Sequence, residues 1–122
     1  MYKGFYNNHP CAIKEYKESF HTQEAQFISR VNHRNVIQLL AHGAGWMAMK
    51  IYDSLDLFDY VAKVGNFNEL MARYIFSHIV DALDYIHSVG IVHRDIKLEN
   101  VLIDMETYEP ILSDFGLAVD VS

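Results

Sequence analysis

The run Ile91-Val92-His93-Arg94-Asp95-Ile96-Lys97-Leu98-Glu99-Asn100 decides how the chain is read, and Asp114-Phe115-Gly116 answers it, with Asp114 nineteen residues beyond Asp95. Asp95 contributes a carboxylate able to orient a hydroxyl and accept its proton. Lys97 contributes an ammonium able to neutralise charge on a moving phosphoryl group. Asn100 and Asp114 offer hard oxygens of the kind Mg²⁺ prefers, and phosphoryl transfer calls for such a set. The alternative makes Asp95 and Asp114 solvated loop acids and Asn100 a turn residue. Two motifs in order, between apolar strand-like runs, weigh against it.

The pattern H-R-D-x-x-x-x-N followed by D-F-G resembles that of the protein kinases, and the roles just given are the ones this resemblance assigns. It implies an α+β, protein-kinase-like bilobal fold, present in part. A small antiparallel-sheet lobe with one helix (1–51) leads through a hinge (52–55) into the first helices and catalytic loop of a large helical lobe (56–122). It further implies ATP and Mg²⁺ as cofactors, with Asp95 and Lys97 catalytic and Asn100 and Asp114 on the metal.

Composition sets bounds. The chain has 122 residues, 51% of them hydrophobic, enough for one modest domain with a real core. That is about half of a complete kinase catalytic domain. A net charge of −6 with no basic cluster argues against nucleic acid or an anionic membrane as partner. A single cysteine, Cys11, forms no internal disulfide and fits a reducing compartment; with no signal-peptide-like start and no membrane-length apolar run, the expected location is cytoplasmic, with the nucleus open.

Residues 1–17 read as a β-hairpin: aromatic-rich 2–6, turn chemistry over Asn7-Asn8-His9-Pro10, and an alternating strand from Cys11. Ala12-Ile13-Lys14 resembles the family's strand carrying the ATP-phosphate lysine, which places the glycine-rich phosphate loop upstream of Tyr2, outside this sequence. A short helix is expected over 22–31, with Thr22 or Ser19 as N-cap. Glu24, Ile28 and Val31 share one face of it, which points Glu24 inward toward Lys14. The alternative is an exposed acid favoured near a helix N-terminus. The spacing of ten between Lys14 and Glu24 is short for the family and implies a helix missing its first turns.

Two strand-like runs, 36–42 and 46–51, flank Gly43-Ala44-Gly45, a plausible hairpin. By the resemblance Met49 falls beside the adenine site, a position where a plain core methionine also fits. Lys50 and Tyr52 belong to the run whose backbone meets the adenine edge, Asp56 reaches the ribose hydroxyls, and Leu102 lies under the adenine. A helix over 55–64 ends at Gly65. A long amphipathic helix comes next, N-capped by Asn68, apolar at 72, 75, 79, 83 and 86, and closed by Gly90. Strands over 101–104 and 110–113 hold Asn100 and Asp114 at fixed separation. Ile28, Leu39, His93 and Phe115 match the family's four-membered apolar stack. The seven histidines show no metal-binding spacing.

Lys97 marks the serine/threonine type, and Glu99 suggests substrates with a basic residue upstream of the phosphorylated one. The loop context resembles calcium/calmodulin-dependent and AMP-activated kinases. The alternative is a non-catalytic, kinase-like binding module or gene remnant. Because positioning the phosphates supplies most of the rate, these 122 residues alone are expected to be inactive. The long helix is expected to leave part of its apolar face for a protein partner.

Overall fold

A computed structural model of the chain describes residues 2–16 and 23–121. Strands β1 (Tyr2–Tyr6) and β2 (His9–Glu15) form the first hairpin. Asn7 and Asn8 alone close it, both at positive φ (49° and 65°), the conformation a tight hairpin needs and asparagine tolerates. β2 therefore starts at His9, earlier than the sequence suggested. Pro10 is tolerated there because pairing of β2 with the next strand begins only at Cys11.

Helix α1 (Gln23–Ser29) is shorter than the expected 22–31. Its last turn tightens as Arg30 N–H and Val31 N–H donate to the carbonyls of Phe27 and Ile28, both at 3.1 Å, which ends the helix. The proposed caps, Thr22 and Ser19, lie outside the described residues. Strands β3 (Leu39–Gly43) and β4 (Trp46–Lys50) complete an antiparallel sheet in the order β1-β2-β4-β3, and Gly45 supplies the turn's positive φ of 77°.

Residues 36–38, read as strand from the sequence, meet that sheet through the Gln38 carbonyl, which accepts from Lys50 N–H at 2.9 Å. Val36 and Ile37 dock against a second sheet instead. Strand β5 (Ser54–Asp56) pairs with β7 (Val101–Asp104), and β7 with β8 (Pro110–Leu112). Ile37 N–H donates to the Leu112 carbonyl (2.9 Å) and Leu112 N–H to the Asn35 carbonyl (2.8 Å). Pairing of β5 also corrects the expected helix over 55–64: α2 runs Leu57–Val64. Its N-cap is Asp56, whose carboxylate accepts from Asp59 N–H at 2.7 Å.

Helix α3 (Glu69–Ser88) is capped by Asn68 as expected, and Gly90 closes it at φ 83°. Its buried positions are Ile75, Ala82 and Ile86, whereas Ala72 of the expected stripe is exposed. A strand pair the sequence did not suggest, β6 (Ile91–Val92) with β9 (Val119–Asp120), anchors the segment beyond Phe115. One apolar cluster runs through both sheets and all three helices, with Ile28, Met47, Leu57, Ile86, Ile103 and Phe115 among its members. Phe76, 67% exposed, and Val80 remain outside it, and Phe67, Ile75, Ile79 and Leu98 line an apolar hollow of about 650 Å³. Among the described residues no helix is long and apolar enough to cross a membrane.

A polar brace holds residues 34–35 against β8 and α3. Buried Glu109 accepts from Arg34 (2.5 Å) and Asn35 (3.3 Å), with His78 Nε2 at 3.4 Å, while Asn35 Nδ2 also donates to the Pro110 carbonyl at 2.9 Å. Asn35→Ala strips a buried carbonyl and a buried carboxylate of this donor. It should lower stability in chemical denaturation by about 1–3 kcal/mol; an unchanged midpoint would show that water replaces the amide.

Candidate functional site

Alternation along β2 puts Ile13 on one face and Lys14 on the other, with Tyr16 on the same side as Lys14. Lys14 Nζ lies 2.8 Å from Glu24 Oε1. The Glu24 side chain is 4% exposed, so a solvated helix acid is ruled out for this residue. Tyr16 Oη also donates to Glu24 Oε1 and approaches Met47 Sδ at 3.2 Å. The other carboxylate oxygen accepts from the buried Phe115 N–H at 2.8 Å. Lys14 Nζ stands 3.9 Å from Asp114 Oδ1.

In the 91–100 run, buried His93 serves as a strut. Its Nδ1 accepts from Asp95 N–H (3.1 Å), its Nε2 meets the Ser113 carbonyl (2.8 Å), and its ring packs edge-on against Phe115 with centroids 4.8 Å apart. Both ring nitrogens are thus used by a neutral imidazole. Asn100, brought round by a 3₁₀ turn over Leu98–Asn100, donates through Nδ2 to the Asp95 carbonyl and to Asp95 Oδ2, both 2.9 Å. That leaves its Oδ1 as a hard oxygen donor. Lys97 Nζ lies 3.7 Å from Asp95 Oδ1. Asp114 adopts φ 59° and accepts from Gly116 N–H at 3.2 Å.

Between the two sheets opens a cavity of about 370 Å³, within the range of small-ligand sites. Lys14, Glu24, Asn100 and Asp114 line it, together with Met49, Lys50, Tyr52, Asp56 and Leu102. Every residue assigned above to nucleotide or metal therefore borders one space. Asp95 and Lys97 are not in its wall and reach it through Asn100. Lys50 N–H is engaged by the Gln38 carbonyl at 2.9 Å, and one Asp56 oxygen by its helix cap. Sequence reasoning missed Tyr16 and the Phe115 amide as partners of Glu24; the side-chain alternation from Lys14 was the available signal for Tyr16.

Among the described residues no three His, Cys, Asp or Glu converge into a ready metal cage. The donor set nonetheless fits Mg²⁺, which dehydrates reluctantly and is commonly held by one or two carboxylates plus phosphate oxygens. Asn100 Oδ1 and Asp114 are donors of that kind.

The sequence profile of the protein kinase domain matches residues 6–122. A serine/threonine-protein kinase of Drosophila simulans, GD17699, is 33% identical over 114 residues, 87% of this chain and 15% of that protein. The serine/threonine-protein kinase ksg1 of Schizosaccharomyces pombe is 36% identical over 112 residues, covering 87% of this chain and 19% of the relative. A crystal structure of the Rad53 kinase domain and SCD2 superposes with a TM-score of 0.82 at 30% identity, covering 93% of this chain and 46% of that one. The chain belongs to the protein kinase family, with the bilobal fold of its N-terminal part. It spans less than a fifth of the length of these curated relatives.

Burial, then the bond to Glu24, hold the Tyr16 phenol well above the usual tyrosine range. A group whose pKa is raised on folding contributes stability below its unfolded pKa and loses it as pH climbs above that value. Wild type should therefore lead Tyr16→Phe in denaturation at pH 8, and the gap should begin to narrow as pH rises above about 10. A gap constant across that range would deny the phenol its bond to Glu24.

Proposed function

We propose that this chain is the nucleotide-binding and catalytic-loop portion of a serine/threonine protein kinase that uses Mg-ATP. In this reading Lys14, held by Glu24, neutralises the α- and β-phosphates. Met49 and the 50–52 backbone border the adenine, Leu102 lies beneath it, and Asp56 offers its remaining oxygen to the ribose. Asn100 and Asp114 hold the magnesium. When bound, Mg-ATP supplies the electrophilic phosphoryl group and the charge that draws these side chains together.

Asp95 then orients a serine or threonine hydroxyl and takes its proton, while Asn100 fixes the carboxylate and Lys97 offsets charge beside it. Glu99, exposed at the cavity's edge, favours a substrate with a basic residue. The serine/threonine-protein kinases among the relatives support the substrate class. The division into 1–51, 52–55 and 56–122 belongs to the same reading. The observation that carries it is the convergence on one cavity of Lys14 from β2, Asn100 from the 3₁₀ turn before β7, and Asp114 from the segment after β8.

Nucleotide titration with and without magnesium tests the proposal. Wild type should show a thermal shift with ATP that grows with Mg²⁺, and Asp114→Asn should remove the magnesium-dependent part. Asp95→Ala should leave binding intact, and the corresponding change in an intact relative should lower phosphotransfer by roughly 10²–10⁴. A magnesium dependence unchanged in Asp114→Asn would take Asp114 out of the metal site.

A further inference from the structure

Helix α1 is seven residues long, too short to hold itself together, so its pose is set by the buried face and by whatever grips its ends. Both ends are gripped by the same stretch of chain. Near its start Glu24 accepts from Phe115 N–H at 2.8 Å. One residue past its end, Arg30 spreads its guanidinium over two acceptors: Nη1 on Asp120 Oδ2 at 2.8 Å and Nη2 on the Val89 carbonyl at 2.6 Å. Asp120 lies in β9, which is fixed against β6, and Val121 N–H donates to the Gly90 carbonyl at 2.8 Å. The stretch 115–120 thus spans α1 from end to end, with one polar bond at each terminus.

We propose that Arg30 is a positioning residue: its fork on Asp120 and Val89 keeps α1 seated so that Glu24 stays on Lys14 and on the Phe115 amide. The inference rests on the nucleotide reading of Lys14 given above. Between the two grips lie Ala25, Phe27 and Ile28, the buried residues on which the helix would pivot. Releasing the Arg30 end lets the helix tilt about them, and the group displaced at the other end is Glu24. Arg30 and Asp120 are about two-fifths exposed, so their pair adds little to global stability. Its loss shifts a local balance rather than unfolding the domain. A lysine, a point charge on a flexible stem, matches the two acceptors less well than the planar guanidinium fork, which presents its donors in fixed directions.

Native-state hydrogen exchange at Phe115 reads the pose of Glu24 directly, since that amide's acceptor is Glu24. In Arg30→Ala, Phe115 exchange should rise and Mg-ATP affinity fall by roughly two- to fivefold, the scale of a partly exposed charge pair. Amides in β7 and β8 should keep their rates. Arg30→Lys should fall between the two, and Asp120→Asn, the gentler change should Arg30→Ala fold poorly, should move Phe115 in the same direction. Phe115 exchange equal to wild type in both Arg30→Ala and Asp120→Asn would overturn the proposal, as would a rise shared equally by β7 and β8. The exchange reading needs no nucleotide. Normal Mg-ATP binding by wild type with an indifferent Phe115 would sink the Arg30 role alone, whereas failure of wild type to bind Mg-ATP would sink the nucleotide reading on which it rests.

Discussion

A carboxylate taken out of water must be met by donors, because the unpaired charge costs several kcal/mol. Glu24 is in that position. Its donors come from separate parts of the chain: Lys14 and Tyr16 at the end of β2, and the Phe115 amide beyond β8. The cost of leaving Glu24 unmet therefore binds the four-stranded sheet, the short helix and the Asp114 segment into one arrangement. The cavity between the sheets keeps its shape largely because that carboxylate has to be satisfied.

Around the cavity, charges are positioned by neutral groups and left available. Asp95 is oriented by the Asn100 amide and by its own N–H on His93, and Asp114 by the Gly116 amide. The nearest cations, Lys97 on Asp95 and Lys14 on Asp114, stand at 3.7 and 3.9 Å, too far for tight pairing. Both acids can thus turn oxygens toward a cation, and both lysines can turn toward an anion. His93, buried with both nitrogens used, ties the Asp95 loop to the strand leading into Asp114. Under the proposed reading, such preorganisation is what electrostatic catalysis requires, because it avoids rearrangement at the moment of reaction.

The site was legible in the sequence where chemistry-bearing residues cluster along the chain. Asp95, Lys97, Asn100 and Asp114 lie in two short motifs, and the caps at Asn68 and Gly90 reflect local backbone demands. The features that were not legible depend on partners distant in sequence. Leu55 and Asp56 look like the start of a helix until β7 arrives to pair with them. Residues 36–38 have strand composition, yet Ile37 is claimed by Leu112. Two-residue strands such as β6 and β9 carry no periodicity to detect. Arg30 has no local signal either, since Asp120 lies ninety residues away.

The central claim is that Lys14 faces a nucleotide's phosphates from within the cavity. Labelling with an amine-reactive ATP analogue, mapped by peptide mass spectrometry, tests it most directly. Modification should concentrate on Lys14 and be suppressed by excess Mg-ATP. Label spread evenly over Lys3, Lys50, Lys63 and Lys97, and indifferent to Mg-ATP, would contradict the account.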